Sequence, residues 1–344
     1  MISIRIPLLS PILYYFKVYY KYSGKNLFFL CCIIFIGGIS EGFGISMLLP
    51  VLDYETKDQI SNPYSQAIYE FIELLGFEVA LSSLLTLLFI AFLLKGLFYA
   101  TQALLASYIT TNLVKELKSQ IYHNYTEMKY EYFTNKDIGY LNNTVTTEVE
   151  TAVGSLSSYI DIIVSIIYIL IYVLAAFLIN PYLTLIVIIL CTILFVALRV
   201  LVRMSRQYSI LISKTNAEIQ SFLIQTLNFF KYLKATDSFS HLKKEIYAKI
   251  KKRELLTFKN QVIKIIPYSM IEPSTVLFMS GLILFHVNYS EKRISEILIS
   301  LLFFYKTFNR IFSFQTEWQK FNSKIGAIEV VEKASKELLT HRDV

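Results

Sequence analysis

Apolar runs of about 20 residues recur along the chain, separated alternately by short turns and long polar stretches. That length crosses a hydrocarbon core about 30 Å thick. The first run is predicted over Leu27 to Leu49, with Pro50 closing it. The second covers Val79 to Leu105, interrupted by Lys95 and Gly96. A third covers Leu156 to Ile179, and Asn180-Pro181 then turns tightly into a fourth. This begins at Tyr182 and leaves the hydrocarbon near Arg199, Arg203 and Arg206. A fifth spans Ile265 to Val287, with Pro267 and Pro273 inside it. The sixth starts near Ile294, is strongly apolar to Tyr305, and continues amphipathically toward Lys333. The pattern predicts an all-α membrane protein with six long transmembrane helices.

The polar stretches between runs two and three, and between four and five, are themselves patterned. Leu113, Leu117, Ile121 and Tyr125 fall four apart, as do Leu141, Val145, Val149 and Val153. Ile219, Phe222, Leu223, Leu227 and Phe230 form a further stripe, and so do Leu242, Ile246 and Ile250. One apolar stripe per segment argues for helix rather than loop. Each stretch therefore reads as a helical hairpin that continues the membrane helices beyond the bilayer. Arms of about 20–25 residues would project about 30 Å. The first hairpin turns over Tyr132 to Gly139, where Gly139 serves as punctuation. Before the first run, Pro11 to Lys21 is aromatic and basic together, which suits a helix lying in the membrane interface.

Composition agrees with this solvent. The chain of 344 residues is 55% hydrophobic and only 17% charged, and its mean hydropathy is +0.51. The net charge of +7 is better read as topology than as affinity for nucleic acid, because Lys and Arg collect in cytoplasmic loops. Segments 1–26, 107–158 and 199–264 hold 22 of these cations, against three in 51–78, 180–182 and 286–293. That contrast predicts cytoplasmic hairpins and termini, with the acidic segment 51–78 outside. Cys31, Cys32 and Cys191 all lie in apolar runs without metal-site spacing. His123, His241, His286 and His341 are scattered, and no metal site is predicted. No small-residue cleavage site follows the first run, so no cleavable signal peptide is expected.

Two long helical stalks on one side suit a machine driven by a cytoplasmic motor, and here the sequence resembles the membrane domain of ABC exporters. The resemblance covers about Leu27 to Lys333. Its first tip would be Tyr132 to Ile138, followed by Gly139-Tyr140-Leu141-Asn142-Asn143 and Glu148. The second would be Asn228 to Thr236, preceded by Asn216-Ala217-Glu218. The resemblance implies an N-terminal interfacial segment (1–26), a six-helix domain (27–333) and the start of a linker (334–344) toward a nucleotide-binding domain. Coupling helices are implied at the tips, around Phe133, Asp137, Phe230 and Lys231. Ile39 to Pro50, and Pro267 to Pro273 with Glu272, are similar to the first and fifth spans of PglK-like lipid-linked oligosaccharide flippases. No G-x-x-x-x-G-K-[ST] phosphate loop occurs in the chain. ATP and Mg are therefore expected in a partner nucleotide-binding domain, joined in cis or recruited in trans. A homodimer or heterodimer in the bacterial inner membrane is implied, and no cofactor is expected in this chain.

Glu41 lies deep in the first run, where a charge is costly and is expected to face a watery cavity or a partner. Gly37, Gly38, Gly42 and Gly44 around it would let another helix approach closely. Glu272, Lys306 and Arg310 complete the candidate substrate cavity. The i, i+4 spacing of the two cations puts them on one helix face, suited to a phosphate-bearing head group. Lys95 is expected to snorkel toward the interface. The alternatives are export of a peptide, lipid or polysaccharide, and a membrane scaffold or sensor that docks a cytoplasmic partner.

Overall fold

The computed structural model describes residues 9–55, 63–74, 76, 78, 80–136, 138–237, 239–289 and 294–342. Among these the chain is helical, and the long helices follow the predicted order. An N-terminal helix α1 (Leu9–Ser23) precedes α2 (Lys25–Ser46), α3 (Leu48–Glu55) and α4 (Pro63–Leu74). Then come α5 (Leu81–Thr126), α6 (Tyr130–Thr134), α7 (Ile138–Asn143) and α8 (Val149–Ile179). The last four are α9 (Pro181–Asn228), α10 (Phe230–Ala235), α11 (Phe239–Tyr289) and α12 (Ile294–Thr340). Three stretches among the described residues, Lys25–Leu52, Leu81–Thr126 and Tyr140–Ile179, are long and apolar enough to cross a membrane.

The helices form two units, residues 1–189 with 279–344, and residues 190–278. In the first unit α8 packs most extensively on α12, and α2 packs on α5. Its core joins Leu27, Ile34, Ile109, Leu113, Val149, Leu156, Tyr159, Tyr172, Phe303 and Phe321. The predicted stripes on α5 and on α7–α8 face this core, with Leu113, Ile121, Leu141, Val149 and Val153 buried. A π turn over Thr144–Glu148 joins α7 to α8. In the second unit, Ser205 Oγ donates to Asn260 Oδ1 at 2.6 Å and Lys249 donates to Glu218 at 2.8 Å, tying α9 to α11. The distal stripe of that unit stays uncovered, with Leu223, Leu227 and Phe230 exposed.

Several boundaries differ from expectation. Pro50 does not close the first run, because the chain stays helical to Glu55 with a turn only at Met47. Pro50 occupies the first turn of α3, where a missing N–H breaks no helical bond. Gly139 lies inside α7 rather than in the turn. The turn instead falls at Asn135 and Lys136, where the Asn135 amide donates to the Glu131 carbonyl at 2.9 Å. Asn180 alone separates α8 from α9, and Pro181 opens the next helix. α1 meets α2 at Gly24, whose φ of +56° would strain a residue with a Cβ. α1 also turns one aromatic face inward. Tyr19 bonds Ser155 at 2.7 Å, and the Tyr15 ring meets Phe321 edge-on at 4.9 Å.

The last helix runs beyond Lys333 and ends on the first hairpin tip. The Tyr132 hydroxyl and the Lys136 ammonium both donate to Glu337 Oε2 at 2.9 Å. The Lys129 N–H donates to the His341 carbonyl at 2.9 Å, and the His341 ring stacks on Tyr132 at 4.6 Å. Arg342 pairs with Glu127. The hydrogen bond from Lys136, followed by that from Tyr132, holds the Glu337 carboxyl below the ordinary carboxylate range. The same bond raises Lys136.

Candidate functional site

Small residues position the charge cluster. An ideal Cβ at Gly38 would lie 2.5 Å from Ile171 Cδ1, and one at Gly42 would lie 3.0 Å from Ile171 Cγ2. On the neighbouring face, Gly37 would meet Phe98 at 3.2 Å and Gly44 would meet Phe92 at 3.0 Å. α2 is thus wedged between α5 and α8 at a separation that larger side chains would not allow. Ser40 donates to the Ala91 carbonyl at 2.8 Å on the α5 side. Glu41 lies at the centre of this contact, with only 2% of its side chain exposed.

Glu41 joins three helices. Lys95 Nζ from α5 and Lys306 Nζ from α12 both lie 2.9 Å from its Oε1. Glu41 Oε2 is buried without a hydrogen-bond partner, and so is the hydroxyl of Tyr172 on α8. Arg310, one turn beyond Lys306, rests on the Tyr168 ring at 4.4 Å in a cation–π contact. Glu41 and Arg310 are the charged groups that face the Tyr172 hydroxyl. Two ammonium groups therefore share one carboxylate oxygen, and a third cation, Arg310, lies one turn beyond Lys306 on α12. Lys95 and Lys306 remain 27% and 37% exposed, whereas Glu41 is covered.

An excess of cations that are reachable and partly desolvated can bind an anion. Ammonium and guanidinium groups form charge-assisted hydrogen bonds with phosphate oxygens, and a partly dry setting strengthens them.

Of the residues singled out by sequence, Glu41, Lys306 and Arg310 come together. Glu272 is exposed on α11 in the second unit. Lys95 pairs inward instead of snorkelling, because the buried Glu41 carboxylate on α2 lies 2.9 Å from its ammonium. Tyr168 and Tyr172 were missed, since tyrosines four apart in an apolar run read as lipid contact or packing. Of the tip residues, Phe133 packs beside Tyr130 at 6.3 Å. Phe230 meets Phe239 at 5.4 Å while remaining largely exposed, and Lys231 is exposed. Asp137 lies outside the described residues.

Residues 27–316 match the family model of the ABC transporter transmembrane region. No curated protein matches the chain. The matched region takes in the charge cluster and both hairpins. The chain belongs to the ABC transporter transmembrane region family, and is a membrane-embedded subunit of an ABC exporter that works with a nucleotide-binding partner.

Proposed function

We propose that this subunit serves a flippase-type exporter, moving a lipid-linked oligosaccharide or a similar amphipathic molecule with an anionic head group. The observation that carries this reading is the charge imbalance around Glu41. Lys95 and Lys306 share the single Glu41 carboxylate, and Arg310 follows one turn beyond Lys306 on the Tyr168 ring. A net positive cluster within apolar helices is costly unless an anion completes it. A phosphate-bearing head group supplies that charge, while the lipid portion can stay in contact with the bilayer.

The wider arrangement belongs to the same proposal. Six spans would place both termini and both hairpins in the cytoplasm of a bacterial cell, with the subunit in the inner membrane. Two copies, or one copy with a homologue, would enclose the pathway. The exposed Leu223 and Leu227 support such pairing, because they leave apolar surface to be covered. ATP and Mg bound by the partner domains would drive alternation between inward-open and outward-open states through the tips at Phe133 and Phe230.

The test is a double change, Lys306→Gln with Arg310→Gln, in the transporter assembled with its nucleotide-binding partner. Insertion, thermal stability and basal ATP turnover are measured beside translocation. The folded double variant should lose most translocation of a phosphate-bearing lipid. Translocation at the parental rate would refute the anionic-substrate reading and leave the two cations as packing groups.

A further inference from the structure

Two unsatisfied groups lie in the charge cluster, and they are complementary. Glu41 Oε2 can only accept a hydrogen bond, and the Tyr172 hydroxyl can donate one; both are buried and lie within interaction range of each other without closing a hydrogen bond. A static salt bridge between carboxylate and lysines would be expected to use both oxygens, since an unmet buried acceptor is costly. Instead both lysines converge on Oε1. The exposure pattern is also asymmetric. Lys95 and Lys306 remain open to an approaching ligand, whereas the carboxylate beneath them is sealed.

Resting on the anionic-substrate reading above, we propose that Glu41 is a tethered counter-ion. In the cargo-free subunit its carboxylate occupies the place on Lys95 and Lys306 that a phosphate group takes over. On displacement, Glu41 turns to the Tyr172 hydroxyl, which donates to it, with the Arg310 guanidinium close by. The Tyr172 hydroxyl and Arg310 offset only part of the buried negative charge in the second state, and the phosphate–lysine contacts make up the difference. Phosphate binding thereby breaks the ion-pair links from α2 to α5 and α12 and replaces them with a hydrogen-bond link to α8. A ligand at the lysines is in this way converted into a change of helix partners.

The two states compete for the same lysines, so removing the carboxylate must strengthen anion binding. Apparent affinity is reduced by the fraction of molecules in which the site is free. If Glu41 holds the lysines about nine-tenths of the time, Glu41→Gln tightens binding about tenfold. Tyr172→Phe removes the second station and weakens binding several-fold. Neutralising Glu41 favours an anion electrostatically in either case, so Tyr172→Phe is the discriminating change: a purely structural Glu41 predicts no effect of it on binding.

The experiment uses the full chain in detergent micelles and measures dissociation constants for inorganic pyrophosphate and for phosphatidic acid, with diacylglycerol as the neutral control. Tightening of both by Glu41→Gln, together with weakening of both by Tyr172→Phe, supports the proposal for phosphate from either source, and tightening without any effect of Tyr172→Phe overturns it. Tightening of one alone supports it and identifies the source as lipid head group or free phosphate. If Glu41→Gln destabilises the fold, the same change is made in a Lys95→Met background, which keeps the net charge of the parent cluster. The comparison is then with Lys95→Met alone, and tightening is again expected. Unchanged or weaker binding in a folded Glu41→Gln protein, with binding still lost in Lys306→Gln with Arg310→Gln, overturns the tethered counter-ion and leaves the anionic-substrate reading intact. Equal binding by the parent and that double variant overturns both.

Discussion

Because two lysines share one acceptor oxygen, their contributions to stability should not add. Consider Lys95→Met and Lys306→Met, singly and together. Each single change leaves Glu41 with one ammonium at 2.9 Å. A hydrogen bond to a charged group contributes about 1.5–3 kcal/mol. Removing one of two crowded, partly hydrated cations relieves repulsion and desolvation as well, so a net cost of about 1 kcal/mol is expected for each. The double change leaves a carboxylate that is 2% exposed without either ammonium. Stranding a buried charge costs about 3–5 kcal/mol. The ceiling is the cost of protonating an ordinary carboxyl at pH 7, about 3.7 kcal/mol from a reference value near 4.3. The pair should therefore lose about 3–4 kcal/mol, roughly 1–2 more than the two singles together. Because the ceiling is set by proton uptake, the deficit should shrink by about 1.4 kcal/mol for each unit of acidification toward pH 5. Unfolding by sodium dodecyl sulfate, followed through far-ultraviolet circular dichroism at pH 7 and pH 5, measures both effects. Additivity within about 0.5 kcal/mol, or a double-variant deficit that ignores pH, would refute the shared-acceptor argument.

The contact of Glu337 with the first tip should depend on pH. Its carboxyl is depressed by Lys136 and Tyr132, so the stabilisation is present above the ordinary carboxylate value and is lost as pH falls through the depressed one. Protection factors of the Lys129 and His341 amides, taken against intrinsic exchange at each pH, should fall on acidification below about pH 4; Glu337→Gln should show the lower protection at both ends of the range, with a loss of about 0.2–1 kcal/mol. Gly38→Leu should weaken the α2–α8 contact by about 1–3 kcal/mol through overpacking, and Ile171→Ala in the same chain should recover most of it. If the double variant is no more stable than Gly38→Leu, the close approach is not what that glycine serves. A single cysteine at Thr236, in a background lacking native cysteines, should resist an impermeant thiol reagent applied to intact cells; rapid labelling from outside would invert the proposed orientation.

The tips and the cluster show different limits of a sequence. The helical character of the hairpins is a local property: residues four apart lie on one face wherever the chain is helical, so the stripes at Leu113 and Leu141 could be read before any packing was known. The boundaries were read less well, because Pro50 and Gly139 act by position within a helix and not by identity alone. Proline disrupts an interior turn but is neutral in the first one. Glycine ends a helix only where the backbone needs a left-handed residue, which occurs at Gly24 and not at Gly139.

By itself the sequence determined the solvent, the helical class and the order of the long helices, because hydrophobic length and period are properties of contiguous residues. It also pointed to Glu41, since a carboxylate in an apolar run is costly whatever surrounds it. Its partners were a matter for the tertiary structure. Lys95 lies 54 residues from Glu41 and Lys306 lies 265 away. Nothing in local spacing distinguishes a lysine that snorkels from one that turns inward. The glycine-lined approach of α2 to α5 and α8 makes that choice, by bringing a buried acceptor closer than water. The docking of Glu337 on Tyr132 and Lys136, across about 200 residues of chain, was decided in the same way. Pairing energy depends on distance in space, and only the packed helices set that distance.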